Sequence, residues 1–379
     1  MRVYFDNAAT TVLDPLVLEE MLPYLSGNYG NPSSIHTHGR EAKTAVEKAR
    51  REVASLLHTS PSEIFFTSGG TEADNTAIVS SIRSLNIQHA ISSRLEHHAV
   101  LHPLEYLEKK KEIKLHFVAT DEDGKIDLDS LEALLKSYPK SFVSLMHGNN
   151  EIGNLNDIQR ISTLCHEYEA IYHSDTTQTV GHYPFDLSAT SPDLIVASAH
   201  KFHGPKGVGF LYKDASLTID PLMFGGAQER NMRGGTENVA GIIGLAKALS
   251  LATQQMEQDS NAILALKKKT IALLKQEIPN VQFNGLSDRL DDSLYTVLNI
   301  LLPIQGMGDM VLFNLDIHQI SVSAGSACSS GTNIGSHVLQ ALLPEEEINA
   351  SVRISFSKYN TEEEIIYLVQ KLKEICAHD

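Results

Sequence analysis

From about Pro15 to about residue 255, short apolar runs alternate with amphipathic stretches, a pattern that predicts repeated βα units. Ala42, Ala45, Val46, Ala49, Val53, Leu56 and Leu57 recur mostly at spacings of three and four. That spacing predicts a helix with one buried face. Ile64-Phe65-Phe66-Thr67, Phe142-Val143-Ser144-Leu145-Met146, Ala170-Ile171-Tyr172-His173 and Leu194-Ile195-Val196-Ala197 read as strands. They are nearly continuously apolar, as strands of a parallel sheet are when helices cover both faces. Beyond about residue 255 the pattern changes. A long helix with Leu264, Leu266, Ile271, Leu273 and Leu274 leads to strands near Tyr295–Ile300 and Val352–Phe356. A closing helix carries Ile365, Ile366, Val369, Leu372 and Ile375. The expectation is a large α/β domain over 15–255 and a smaller α+β domain made of 1–14 and 256–379.

Composition agrees with two domains, since 379 residues exceed what one core usually holds. Hydrophobic residues are 42% and charged residues 21%, ordinary for a folded chain. No apolar run approaches the ~20 residues of a membrane helix. The start, Met1-Arg2-Val3-Tyr4-Phe5-Asp6, has no apolar signal core, so a cytoplasmic protein is expected. Lys plus Arg is 31 against 47 for Asp plus Glu, and 31 − 47 gives a net charge of −16. That balance disfavours nucleic acid and anionic membranes as partners. Cys165, Cys328 and Cys376 are far apart in sequence, so neither a zinc site nor a redox pair is written here. Free thiols are expected.

Four segments can carry chemistry. Phe66-Thr67-Ser68-Gly69-Gly70-Thr71-Glu72-Ala73-Asp74-Asn75 follows a strand and opens a helix. Glycines there let backbone amides converge on an anion, with Thr71 as a candidate cap. It matches neither the Walker loop nor G-x-G-x-x-G. A tight turn without ligand has the same signature. Ser198-Ala199-His200-Lys201-Phe202-His203-Gly204-Pro205-Lys206-Gly207 leaves the strand Leu194–Ala197 at its carboxyl end, where α/β proteins bind ligands. A desolvated Lys201 between histidines is a competent amine nucleophile, although a lone loop lysine is usually solvated. His173-Ser174-Asp175-Thr176-Thr177-Gln178 puts an acid at another strand end, where it either meets a cation or caps a turn. Cys328, in Ser323-Ala324-Gly325-Ser326-Ala327-Cys328-Ser329-Ser330-Gly331-Thr332, sits among small residues that make poor helix and poor strand. A mobile loop with an exposed thiol is expected there, whereas Cys165 reads as core and Cys376 as incidental.

With Leu95-Glu96-His97-His98-Ala99-Val100 and His147-Gly148-Asn149-Asn150-Glu151-Ile152-Gly153, these segments form an ordered constellation. It resembles the fold-type I pyridoxal-phosphate enzymes of the class V aminotransferase superfamily, and more narrowly the cysteine desulfurases of iron–sulfur cluster assembly. The resemblance runs from Tyr4-Phe5-Asp6-Asn7-Ala8-Ala9-Thr10-Thr11 to Val352-Arg353-Ile354-Ser355. It implies a mostly parallel seven-stranded sheet flanked by helices, with pyridoxal 5'-phosphate as cofactor and no metal. It implies that Lys201 bonds the cofactor aldehyde and that Asp175 pairs with the ring nitrogen. Gln178 and Asn150 then serve the ring hydroxyl, and His97 stacks on the ring and helps move a proton. Gly70, Thr71, Ser198 and His200 hold the phosphate, completed by Thr236 of a second subunit in a homodimer. Arg353 grips the substrate carboxylate, with Asn150 beside it, and Cys328 is the nucleophile.

The implied reaction takes L-cysteine to L-alanine and leaves a persulfide on Cys328. Its sulfur passes to an acceptor such as an iron–sulfur scaffold, with nucleic acid touched only indirectly through tRNA-thiolation partners. Selenocysteine lyase is the rival activity. Two departures from the family pattern stand out: Ser-Ala-Gly-Ser-Ala-Cys-Ser-Ser around Cys328, and an end at Asp379 soon after the last helix. Iron–sulfur relatives carry a longer tail that docks the scaffold, so the second departure leaves the acceptor open.

Overall fold

The computed structural model describes residues 1–189, 191–304, 310–324 and 336–377. In chain order the strands are β1 (Val3–Tyr4), β2 (Ile64–Thr67), β3 (His89–Ser92), β4 (Lys114–Phe117), β5 (Phe142–Ser144) and β6 (Ile171–Asp175). There follow β7 (Leu194–Ser198), β8 (Gly209–Lys213), β9 (Gln282–Phe283), β10 (Val297–Leu301), β11 (Ile320–Ser321) and β12 (Ser351–Ser355). Seven of them form one sheet in the order β2-β8-β7-β6-β5-β3-β4. The neighbours from β7 to β4 pair in parallel, while β8 runs antiparallel to both β2 and β7. The parallel strands β2, β6 and β7 therefore end at the same edge of the sheet. The predicted strands are all present, each within a residue or two of its expected bounds.

The sheet is buried on both faces. The helix Thr37–Leu56 lays Ala42, Ala45, Val46, Ala49 and Val53 on one face, as its spacing requires. On the other, Val100, Leu104 and Leu107 of the helix His98–Lys109 pack with Phe65, Phe142, Leu194 and Val196. β9, β10 and β12 form a separate antiparallel sheet, β12-β10-β9, and β1 pairs in parallel with β11. Val3 and Phe5 share a core with Leu298, Ile300, Val352, Ile354 and the closing helix Glu362–Ala377.

One helix joins these regions. It begins at Val239, upstream of the change of pattern near residue 255, and runs to Glu277. Its 39 residues make it about 58 Å long. Ile242, Leu245 and Leu249 pack against the central-sheet core, and Ile263 and Leu274 against the second sheet. Residue 255 thus lies inside a continuous helix.

Candidate active site

The carboxyl-terminal edge of the central sheet and the second sheet enclose a cleft of about 770 Å³, open to solvent. Ten of the residues singled out from sequence line it: Gly70, Thr71, His97, Asn150, Asp175, Gln178, Ser198, His200, Lys201 and Arg353. Strand ends explain most of this convergence. β6 ends on Asp175, β7 ends on Ser198, and the turn after β2 delivers Gly70 and Thr71.

That turn needs its glycines. Gly69 has φ +148°, a conformation that a side chain strains, and it caps the short helix Gly70–Asn75 without any side-chain hydrogen bond. Thr71 lies inside the first turn of that helix and is not its cap, because the cap falls at Gly69, two residues earlier than the sequence suggested. A Cβ on Gly70 would stand 3.0 Å from Thr177 Oγ1, so the backbone amides stay uncovered. The Thr177 hydroxyl is buried and, among the described residues, meets no partner. A hydroxyl without a partner beside a glycine cradle suits an anion's oxygen. Thr177 was missed in the sequence, although it stands two places after Asp175.

Lys201 ends a single 3₁₀ turn, Ala199–Lys201, and its Nζ donates to the carbonyls of Ala8 at 2.6 Å and Ala9 at 3.0 Å. Gln178 Nε2 also donates to Ala8, at 3.0 Å. The amino-terminal strap thereby reaches across to the lysine, a role that no sequence pattern signalled. Asp175 does cap its turn, accepting the Thr177 N–H at 2.9 Å, and it lines the cleft as well, so the two readings are compatible. His97 caps the helix His98–Lys109: its Nδ1 accepts the Ala99 N–H at 3.2 Å, which leaves the proton of the neutral ring on Nε2. Burial lowers the pKa of His97, against the opposing pull of Asp175. His200 is pushed down to about 4, chiefly by burial and then by Lys201 and Lys206. Its Nδ1 pairs with Thr10 Oγ1 at 3.1 Å.

Arg353 sits in the interior of β12 and is 1% exposed. It is not the surface ion pair that a late-strand arginine usually makes. Nη2 donates to Asp6 Oδ1 at 2.7 Å and Nη1 to the Asn150 carbonyl at 2.9 Å. Two expected residues are not brought into this cleft. Thr236 is exposed, in the stretch before the helix Val239–Glu277. Cys328 and the loop expected around it lie outside the described residues. Cys165 is fully buried, and burial raises its thiol pKa, as a core cysteine requires. Cys376 is half-buried in the closing helix. Among the described residues no cluster of His, Cys, Asp and Glu could hold a metal ion, and no helix is long and apolar enough to cross a membrane.

Residues 3–368 match the Aminotransferase class-V family, and the chain belongs to it. Its relatives narrow the class. The chain is 42% identical over 378 residues to cysteine desulfurase IscS of Dictyoglomus turgidum, covering 99% of this chain and 94% of that one. It is 39% identical over 378 residues to the IscS of Methanosarcina thermophila, covering 98% and 91%. Among solved structures, a NifS-like protein superposes with a TM-score of 0.91 at 37% identity, covering all of both chains. SspA in complex with cysteine superposes at 0.81 and 30% identity, covering 95% and 100%. The chain is a cysteine desulfurase, and these relatives favour that activity over selenocysteine lyase.

Proposed function

We propose that the cleft holds pyridoxal phosphate and that the chain uses it to convert L-cysteine to L-alanine, with Cys328 taking the sulfur. The observation that carries this reading is the meeting in one cleft of Lys201, Asp175, His97, the Gly70 cradle and Arg353. The donor set fits the cofactor. Gly70, Thr71, Ser198 and His200 hold its phosphate, together with the unpaired Thr177 hydroxyl. Asp175 supplies the anion for a protonated ring nitrogen, neutral His97 the stacking face, and Asn150 and Gln178 the ring-hydroxyl side.

When bound, pyridoxal phosphate supplies a conjugated ring that draws in the electron pair left at the substrate's α-carbon. The chain's own residues do the rest. Arg353 binds the carboxylate, and Lys201, with His97, accepts and returns the α-proton. The Cys328 thiolate attacks the substrate sulfur, so an S–S bond forms as the C–S bond breaks. The substrate's β-carbon keeps the electron pair of the broken C–S bond and takes a proton, and the product leaves as alanine. Cys328 keeps the persulfide until an acceptor, such as an iron–sulfur scaffold, removes its sulfur.

Exposed Thr236 supports a homodimer in which each subunit completes the other's phosphate cup. The separate cores support a division into a large domain over 15–255 and a small one of 1–14 and 256–379, spanned by the long helix.

The test is Cys328→Ser. It is expected to bind cofactor and cysteine with the parental spectral change, yet to lose both alanine production and protein-bound persulfide, because a hydroxyl is a poor nucleophile at neutral pH. Cys165→Ser and Cys376→Ser are expected to match the parent. Parental alanine production by Cys328→Ser would refute the persulfide route.

A further inference from the structure

Asp6 lies in the strap between β1 and Lys201's carbonyl partners, and one of its oxygens does two things. Oδ1 accepts from Arg353 Nη2 at 2.7 Å and from Ser323 Oγ at 2.8 Å. The backbones of Ser323 and Arg353 are also bonded to each other in both directions, at 2.6 and 3.3 Å. Arg353, Ser323 and Asp6 thus form a closed triangle of contacts. Ser323 leads, within a few residues, to Cys328 in the sequence.

An arginine cannot shed its charge by losing a proton, so a guanidinium 1% exposed needs a fixed counter-charge. Asp6 is that counter-charge. Its side chain is 18% exposed, so this ion pair sits mostly out of water, where its geometry matters most. With Nη2 committed to Asp6 and Nη1 to Asn150, the plane of the fork is fixed at two points. Arg353 lines the cleft, and its Nε–H is buried and meets no acceptor among the described residues. A donor in that state favours an incoming carboxylate oxygen.

We propose that Asp6 is a positioning residue for carboxylate recognition: it aims the Arg353 fork into the cleft and ties that aim to Ser323, at the root of the stretch that carries Cys328. The inference rests on the reading that Arg353 binds the substrate carboxylate. Asp6 does not compete with the substrate for the arginine; it sets the geometry in which the remaining donors are offered. Removing its charge therefore weakens carboxylate binding, although a bare count of charges would predict the reverse.

The experiment measures binding of L-alanine to the holoenzyme through the change in cofactor absorbance, with cysteamine as an amine that lacks a carboxylate. For Asp6→Asn, L-alanine affinity is expected to fall about 10–100-fold, the size of one charge-assisted hydrogen bond, while cysteamine affinity stays within about twofold. In L-cysteine turnover the loss is expected mainly in KM, with kcat less affected. Ser323→Ala is expected to weaken L-alanine in the same direction by a smaller factor, and to add little on top of Asp6→Asn, because both act through one oxygen. It also serves as the test should Asp6→Asn fold poorly. Unchanged or tighter L-alanine binding by either variant would overturn the proposal, as would an equal loss for cysteamine. Arg353→Lys separates the two ideas: if it left L-alanine affinity unchanged, the carboxylate role of Arg353 itself would fall.

Discussion

The two sides of the molecule that meet at the cleft bury ionisable groups of opposite type and limit the cost by different means. On the central-sheet side Asp74 and Glu96 are each 1% exposed, and burial raises both pKa values well above the carboxylate range, with Asp175 adding to the effect. Burial thus favours the protonated, neutral form of both acids. The neighbouring His173, fully buried and pushed down to about 4 by burial, is neutral too. On the second-sheet side two buried groups are bases, Arg353 and Lys267. Arg353 cannot become neutral and is held by Asp6. Lys267 takes the other course: burial lowers its pKa to about 7, and Nζ donates to Ser293 Oγ and the Leu294 carbonyl.

The largest expected effect is on the central-sheet wall. Lys201→Ala should lose more than about 10⁴-fold in alanine formation, since the variant lacks both the nucleophile and the proton carrier. Borohydride should fix pyridoxal phosphate to Lys201 in the parent, read by peptide mass, and to no residue of the variant. An adduct on another lysine of the parent would move the chemistry away from the end of β7. Next comes Asp175→Asn, which keeps the Thr177 turn contact but removes the anion. A fall of about 10²–10⁴-fold in turnover with little change in melting temperature is expected, by analogy with acid–base effects. Unchanged turnover would leave Asp175 as a turn residue only.

The contrast also explains what could be read in the sequence. The central-sheet wall is made by strand ends and tight turns, and these carry local signatures: apolar runs end shortly before Asp175 and Ser198, and Gly69-Gly70 marks the turn before Thr71. Gly70, Asp175, Ser198 and Lys201 stand out by these signatures, whereas His97, Asn150 and Gln178 were singled out only by the family resemblance. The second wall is made by long-range pairing of buried side chains. Asp6 and Arg353 are 347 positions apart, and nothing in the local sequence around either one announces the other. Lys267 sits in an amphipathic helix where a lysine normally reads as solvated, yet it is fully buried. The antiparallel course of β8 was hidden for a related reason, since strand direction is set by partners and not by apolar content. The long helix from Val239 hid the division between the cores, because one helical periodicity runs through both.

Lys267 gives the smallest expected effect, and it tests whether the second wall holds a cation that can be neutralised. An unfolded chain keeps the lysine proton up to its ordinary pKa of 10.5, whereas the folded chain releases it near 7. Between those values the unfolded state binds more protons, so folding stability rises with pH. Below about pH 7 both states are charged, and the full burial penalty weighs on the fold. Lys267→Met removes this term, and titrations elsewhere cancel when the two proteins are subtracted. The parent should therefore gain roughly 2–3 kcal/mol over the variant between about pH 6 and pH 9, measured by urea unfolding. Activity per folded molecule should stay near parental, since the Lys267 contacts with Ser293 and Leu294 lie outside the cleft lining. Parallel stability profiles would mean that Lys267 keeps its proton when buried, and the second wall would then need a counter-charge there as it does at Arg353.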